Sequence, residues 1–311
     1  MTNKPKLNIK EQIAFLKNQG VTFHHFTEAE AEIFLRKSNY FFKIKAFAKN
    51  YDKDENGKYK NLDFAYLREL SIIDTSLRDI ILELCLTYEH LLKVHINAHC
   101  SENPNEDGYS IVEQFLQKYT KPKSLQSYEI EKSNIYQKDL IKKHYMKNDE
   151  TYISDFALWN FVEILSFGEF MQFYDFYFKK YDNSVKSGFI EPIRRLRNAA
   201  AHNCCILHIL KDNPNISFKK NKRLKTKIRQ MCILGTSNKL EQLNHPLIHD
   251  FICLLFAIKE LCPPKMFKKL KEKIFIVINR MLKHKEYFVE NELFESKFIF
   301  VIKIILKLHK V

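Results

Sequence analysis

Glycine is scarce in this sequence: the 311 residues include only 6, where average usage would give roughly 22. Tight turns, phosphate-binding loops and nucleophile elbows need glycine for a positive φ or for close backbone approach. The patterns G-x-G-x-x-G, G-x-x-x-x-G-K and G-x-S-x-G are all missing. The deficit therefore argues against a dinucleotide-binding sheet, a P-loop NTPase and an α/β-hydrolase, and it predicts an all-α protein.

Paired cysteine motifs and long apolar runs are also lacking. The seven cysteines form no C-x-x-C motif, and an odd number excludes a complete intrachain disulfide framework. They predict buried, reduced thiols in a cytoplasmic protein. The longest apolar run, Phe251 to Ile258, is far shorter than the roughly 20 residues that span a bilayer. The polar N-terminus predicts no signal peptide, so we expect no membrane partner.

The net charge of +14 is unevenly distributed along the chain. Residues 211–311 hold 22 Lys and Arg against 9 Asp and Glu, a net of +13, and residues 1–210 are nearly neutral. The segment KDNPN (211–215) marks the point where the composition changes. We therefore predict a domain at 1–210 that is followed by a basic helical accessory region at 211–311.

The densest basic stretch is KKNKRLKTKIR, with 7 basic residues in 11. One interpretation is a solvated helix face, and the other is attraction to an RNA backbone through counterion release. The candidate RNA-binding residues are Lys219, Lys220, Lys222, Arg223, Lys225, Lys227 and Arg229.

Apolar periodicity and capping residues predict helices along most of the chain. Asn8 is the expected cap of the first helix, and Thr27 with Glu30 forms a capping-box pattern. For the segment 297–308 the β-branched composition leaves helix or strand open. The predicted helices cover 9–19, 27–47, 62–99, 109–118, 127–147, 156–181, 190–210, 222–234, 246–261, 264–283 and 286–309.

The strongest candidate for chemistry is the segment IRRLRNAAAHNCCIL, in which Arg197 and His202 stand five residues apart beside Asn198. Asn198 and His202 are spaced i, i+4 and so share a helix face. Cleavage of RNA without a metal needs a proton acceptor or donor near neutral pH, such as His, and a fixed cation for the phosphate charge, such as Arg. The alternative is a surface Arg and a hydrogen-bonded His on a structural helix.

Four sequence blocks, in order, resemble the Abi-like abortive-infection family of the AbiD/AbiF type. The R-N-x3-H motif of this chain, from Arg197 to His202, resembles the active-site signature of HEPN (higher eukaryotes and prokaryotes nucleotide-binding) ribonucleases. The blocks are FLRKSNYFFKIKAF (34–47), LSIIDTSLRDIILELCLTYEHLLKVHI (70–96), HYMK with ALWNFVEILSFGEFMQFY (144–174) and IRRLRNAAAH (193–202). Residues after 210 match no motif of the family.

The resemblance implies a HEPN-type helical bundle that acts as a toxin-like endoribonuclease of phage defence. Arg197 and His202 would then be catalytic, with Asn198 in support, in a cleft shared by the two chains of a homodimer. A partner antitoxin, in some relatives a small structured RNA, would restrain it. The chain departs from the family by having Lys93 after Glu89, where Arg is common, and Lys43 in the early block.

Other constellations favour structural roles. His95 and His99 have the spacing of metal ligands but lack the Glu of H-E-x-x-H, so we expect no metal site and no cofactor. Trp159, Phe167 and Gly168 suggest core packing with close helix contact. A different class of function also stays open, namely a non-catalytic RNA-binding or interaction module on a HEPN dimer scaffold.

Overall fold

The protein is built from α-helices with one short β-hairpin, as seen in a computed structural model that describes residues 5–119, 135–148, 151–154, 156–185, 188–208, 210–211, 218–231, 237–289 and 291–308. The all-α class is thereby confirmed. The helices are α1 (Ile9–Asn18), α2 (Glu28–Lys37), α3 (Phe41–Phe47), α4 (Phe64–Glu102), α5 (Ser110–Lys118), α6 (Ile135–His144), α7 (Leu158–Ile164), α8 (Phe167–Tyr181), α9 (Ile190–Ala201), α10 (Lys222–Gln230), α11 (Pro246–Leu261), α12 (Pro264–Leu282) and α13 (Glu292–Lys307). Short 3₁₀ turns lie at Ala48–Asn50, Ser237–Asn244 and Lys285–Phe288.

The 39-residue helix α4 is the central element of the fold. Asp63 caps it by accepting a hydrogen bond from the Ala65 amide at 2.9 Å. Apolar residues at spacings of three, four and seven keep one long stripe buried. This stripe packs against α3, α9, α11 and α12. Helix α4 therefore contacts both the N-terminal helices and the C-terminal helices of the fold. The long predicted helix at 62–99 is confirmed.

Two predicted helices are each divided in two. The helix expected at 27–47 breaks between Lys37 and Phe41, since Asn39 binds the Tyr40 amide with its own side chain. The helix expected at 156–181 breaks at Ser166, which caps α8 in a capping box with Glu169. That S-x-x-E pattern was visible in the sequence but lay inside an apolar run that favoured one continuous helix.

The prediction of a helix at 127–147 is only partly right. Residues 127–134 lie outside the described part of the chain, 135–144 form α6, and 145–148 form a strand. This strand, β1 (Tyr145–Asn148), pairs antiparallel with β2 (Thr151–Ser154), and Tyr145 is opposite Ser154. At the other end of the chain, the helix predicted at 286–309 divides into a 3₁₀ turn and α13. The β-branched segment 297–308, for which helix or strand was open, is helical through Lys307.

Gly168 and Trp159 do not serve core packing, so that prediction was wrong. Gly168 is exposed, and a Cβ added there would meet open space. Trp159 is 52% exposed. Its ring instead covers Gly108, where φ is +86° and a Cβ would lie 2.5 Å from the indole. Phe167 is buried as expected.

The basic C-terminal region packs directly on the preceding helices. Helix α11, nearly all of which is buried, contacts both α4 and α9. Glu69 of α4 accepts hydrogen bonds from Arg280 of α12 within the same interface. One continuous apolar core therefore includes residues from both sides of position 210, and the division at 210 stays a prediction.

Candidate active site

Helix α9 ends at Ala201, and not near 210 as predicted, because a Schellman motif terminates it. Asn203 adopts a φ of +55°, a conformation that Asn tolerates better than most residues. The Asn203 amide donates to the Ala200 carbonyl at 3.1 Å, and the Cys204 amide donates to the Ala199 carbonyl at 3.0 Å. His202 is the C-cap of this helix end.

Arg197 and Asn198 are half-buried side chains of α9, and Arg197 borders the buried face that carries Ile193 and Leu196. Arg197 Nη1 is 3.4 Å from Asn198 Oδ1. The guanidinium also lies 5.8 Å from the centre of the Phe167 ring, over the first turn of α8. Asn198 is thus in a position to orient the Arg197 guanidinium.

His202 is exposed one turn further along. Its backbone amide donates to the Asn198 carbonyl at 2.9 Å, which keeps it in the i, i+4 position expected from the sequence. Within the part of the chain that the structure describes, its ring has no hydrogen-bond partner and does not contact Arg197. The structure therefore brings Arg197 and Asn198 into contact and leaves the His202 ring accessible at the end of the same helix.

Glu89, which is influenced by the charge of Arg197, belongs to a group of charged side chains that we call the open cluster: Glu89, Lys93, Glu163 and Arg197. Lys93 Nζ lies 3.8 Å from Glu89 Oε1 and 3.4 Å from Glu163 Oε2, so Lys93 pairs with both carboxylates although the family often has Arg at this position. Burial raises the pKa of Glu89 above its ordinary value, and the charges of Lys93 and Arg197 oppose that rise. Three of the four sequence blocks meet here.

Three side chains hold the segment after His202 in place, and we call them the anchor cluster: Lys43, Asp74 and Arg78. All three side chains are buried. Asp74 pairs with Arg78 and accepts a hydrogen bond from the Leu207 amide at 2.8 Å. Lys43 Nζ donates to Asn203 Oδ1 at 2.8 Å. Burial, with the charge of Arg78, lowers the pKa of Lys43.

Further contacts extend this support along the segment. Arg78 Nη1 lies 3.4 Å from the Cys204 carbonyl. Asn50 donates to the Leu207 carbonyl at 2.8 Å and accepts from the Leu210 amide at 2.7 Å. Sequence reasoning missed these roles, although charged residues spaced i, i+4 on the apolar face of a long helix were a usable signal.

The two adjacent cysteines differ in their surroundings. Cys205 is half-buried against the Lys43 carbonyl, with its Sγ 3.8 Å away, but Cys204 is exposed. The prediction that both are packed is therefore wrong for Cys204, because the chain turns out of the helix there. Cys85, Cys100, Cys253 and Cys262 are buried and free.

The basic stretch forms α10, whose charged residues divide between two faces. Leu224 and Ile228 are buried. Arg223 and Lys227 both pair with Glu260 of α11, at 3.3 and 2.6 Å. On the other face Lys222, Lys225 and Arg229 are spaced i, i+3, i+7, and no ion pair involves them among the described residues.

The remaining basic candidates lie just before α10. Lys219 is exposed, and Lys220 Nζ donates to Asn244 Oδ1 at 2.7 Å. The seven residues are therefore not equivalent, because Lys220, Arg223 and Lys227 have partners within the protein.

His95 and His99 pack against helix α8. His95 Nδ1 is 2.7 Å from the Tyr174 hydroxyl, and His99 Nδ1 is 2.9 Å from the Tyr177 hydroxyl. Both rings also contact Phe178. Among the described residues, no group of three His, Cys, Asp or Glu side chains could hold a metal ion. The two histidines thus have a structural role.

Comparison with known protein families identifies the chain. The model of the family described as Abi-like protein matches residues 33–208, the part that carries α3, α4, α9 and both charged clusters. The chain belongs to the Abi-like protein family. Membership suggests a role in abortive-infection defence against phage. Searches of curated proteins and of solved structures give no match.

The matched range includes the candidate site. It ends at residue 208, directly after the anchored segment, so α10 to α13 lie outside it. None of the described helices is long and apolar enough to cross a membrane.

Proposed function

We propose that this Abi-like protein is a toxin-like, metal-independent endoribonuclease of phage defence that uses Arg197, Asn198 and His202. One observation carries the proposal: Arg197 and Asn198 touch, and an accessible His202 follows one turn later at a firmly anchored helix end. A cation beside an unhindered imidazole is the equipment that phosphodiester cleavage by the neighbouring 2′-hydroxyl requires.

The reaction proceeds by attack of the 2′-oxygen on the adjacent phosphorus. His202 accepts the 2′-hydroxyl proton and, in its protonated form, donates to the leaving 5′-oxygen. Arg197 stabilises the charge that grows on the phosphate oxygens, and Asn198 holds the guanidinium in place. The P–O5′ bond breaks as the P–O2′ bond forms, so the products are a 2′,3′-cyclic phosphate and a 5′-hydroxyl.

The site is open to solvent and has one copy of the motif per chain, which fits a homodimer in which two motifs face one cleft. The unpaired face of α10 (Lys222, Lys225, Arg229) is the part of the basic stretch best suited to RNA phosphates. The family resemblance further leads us to propose restraint by an antitoxin, either a small non-coding RNA or a protein. A gene for such a partner is expected in the neighbouring DNA.

The proposal is tested by incubating the full-length protein with cellular RNA and analysing the ends. We expect cyclic phosphate ends, and we expect His202→Ala to reduce cleavage by about 10²–10⁴-fold with unchanged thermal stability, because the ring is exposed. The matched control is His90→Ala, which removes an exposed His from α4. Cleavage that EDTA abolishes, or that survives His202→Ala, would contradict the mechanism.

A non-catalytic RNA-binding module is the alternative, and the division of α10 into a paired and an unpaired face is the observation that favours it. Growth arrest on expression separates the two functions. If Arg197→Ala and His202→Ala leave the arrest unchanged, the protein acts by binding, and the RNA that co-purifies with it identifies the partner.

A further inference from the structure

A large apolar cavity lies between α4 and the C-terminal helices, away from Arg197. Its volume is about 390 Å³, within the range of small-molecule sites. The floor is formed by buried side chains of α4 and α11, such as Leu70, Ile73 and Phe251. An apolar pocket of this size that the protein's own side chains leave unfilled is unusual, because packing normally leaves few gaps larger than a water molecule.

The cavity opens between the end of α12, the 3₁₀ turn at Lys285–Phe288 and α13. Its exposed lining residues lie in these elements or in the link between the turn and α13, and among them Leu282, Val289 and Ile299 are at least 40% exposed. The mouth is therefore apolar and solvent-accessible, with Lys285 and Glu295 beside it.

The polar groups of the lining indicate the kind of ligand. Lys285 stands at the mouth, and Lys297 is buried in the wall, where its Nζ donates to Gln242 Oε1 at 3.3 Å. Glu295, the one acidic residue among the described lining residues, is likewise exposed at the mouth. Lys285 therefore supplies the cation that can meet an anionic head group at the mouth of an otherwise apolar chamber.

The volume sets the length of the apolar part. A dry cavity of about 150 Å³ holds benzene, so about 390 Å³ accommodates a chain of roughly 12 to 15 carbon atoms on the same scale. We propose that this cavity binds a single-chain amphiphile with a carboxylate head, of the fatty-acid class, and that the bound chain braces the segment after His202.

The coupling to the site runs through Leu207 and Leu210, which line the cavity. Their backbone groups bond to Asp74 and Asn50, and α4 contributes both Asp74 and the cavity floor. A chain that fills the cavity therefore holds the 203–210 segment against α4. This part of the inference rests on the proposed function, because its readout is RNA cleavage.

Binding is tested on the full-length protein with laurate and myristate, by displacement of a fluorescent fatty-acid analogue and by thermal shift. Val277→Phe places extra carbon atoms inside the cavity and should weaken binding about tenfold or more. The control is Ile276→Phe on the same helix, because Ile276 is 68% exposed and does not line the cavity. Lys285→Glu should weaken laurate more than dodecanol.

Three outcomes would overturn the inference. One is an absence of binding by the folded wild-type protein, and another is equal binding by wild type and Val277→Phe. The third is association of wild-type chains, in sedimentation, that Val277→Phe abolishes, since the cavity mouth would then be an interface between two copies. If an active protein binds laurate and its RNA cleavage does not change, only the proposal that the ligand braces the segment after His202 is overturned. If the protein binds laurate but does not cleave RNA, the cavity is still a ligand site, and only the proposed function is refuted.

Discussion

The two charged clusters beside α9 differ in the environment of their charges. In the anchor cluster, Asp74 and Arg78 are almost completely buried, and each also bonds to the backbone after His202. In the open cluster, Glu163 is 57% exposed, and Lys93 lies at 3.4 to 3.8 Å from two carboxylates. The anchor cluster holds the helix end in place, whereas the open cluster is partly exposed, with side-chain exposures of 17% at Lys93 and 18% at Glu89, so substitutions should separate stability from activity.

The largest effect is expected at Asp74. Asp74→Ala removes the partner of the buried Arg78 and the acceptor of the Leu207 amide, so the free energy of unfolding should fall by about 3–5 kcal/mol. Urea denaturation measures it. The control is Glu191→Ala, which breaks the exposed pair between Glu191 and Arg194 on α9 and should cost less than about 1 kcal/mol.

A double variant sharpens this test. Asp74→Leu with Arg78→Met removes both buried charges while keeping similar volumes, and it should recover part of the loss seen in Asp74→Ala. If the double variant is no more stable than the single one, the hydrogen bond to Leu207, and not the unpaired Arg78, dominates the loss.

The next effect is expected at Arg197, in the open cluster. Arg197→Lys keeps the charge but loses the planar guanidinium that reaches both Asn198 and a phosphate, so RNA cleavage should fall by about 10²–10³-fold. Stability should change by less than about 1 kcal/mol. Arg194→Lys, at an exposed position three residues earlier, is the control. A loss of stability comparable with Asp74→Ala would remove the distinction between the clusters.

The candidate catalytic residues were easier to find from the sequence than the anchor cluster, for a physical reason. Arg197, Asn198 and His202 are close in the chain, so helical spacing alone relates them, and the Glu89 and Lys93 pair is also spaced i, i+4. The bonds from Lys43 to Asn203 and from Asp74 to Leu207 join residues more than 130 positions apart, and only the tertiary fold can bring them together.

Helix ends were the other weak point of prediction. The end of α9 depends on Asn203 adopting a positive φ. Asn can adopt either sign of φ, and the hydrogen bond from Lys43 of the anchor cluster supports the positive one. Apolar periodicity continues through Cys205, Ile206 and Leu207 and therefore favoured a longer helix. Where periodicity and capping agreed, as at Asn8 and Thr27, the starts of the helices were correct within one residue.

A smaller effect is expected on α10. Substituting Lys222, Lys225 and Arg229 together by Ala should lower the salt slope of RNA binding by roughly 2, since each phosphate contact with single-stranded RNA contributes about 0.7. Arg223→Ala with Lys227→Ala removes two charges that already pair with Glu260 and should change the slope by less. Equal slopes for wild type and the triple variant would show that the unpaired face is only solvated.

The smallest effect is a pH dependence of stability at Glu89. Because burial raises its pKa above 4.5, the folded protein holds this proton more tightly than the unfolded chain between 4.5 and the raised value. The contribution of Glu89 to stability is thus full below that window and is lost as pH rises through it. Glu89→Gln lacks the titration, so its stability relative to wild type should increase with pH and then level off.

Urea denaturation of both proteins from about pH 4 to about pH 7 measures this difference, with Glu191→Gln as an exposed control. If the relative stability of Glu89→Gln instead decreases with pH, the charges of Lys93 and Arg197 outweigh burial at Glu89. Glu89 would then be a firmly paired carboxylate like Asp74, and the open cluster would share the structural role of the anchor cluster. A rising difference means that Arg197 is not neutralised by a tightly held partner, which leaves its charge available to a phosphate.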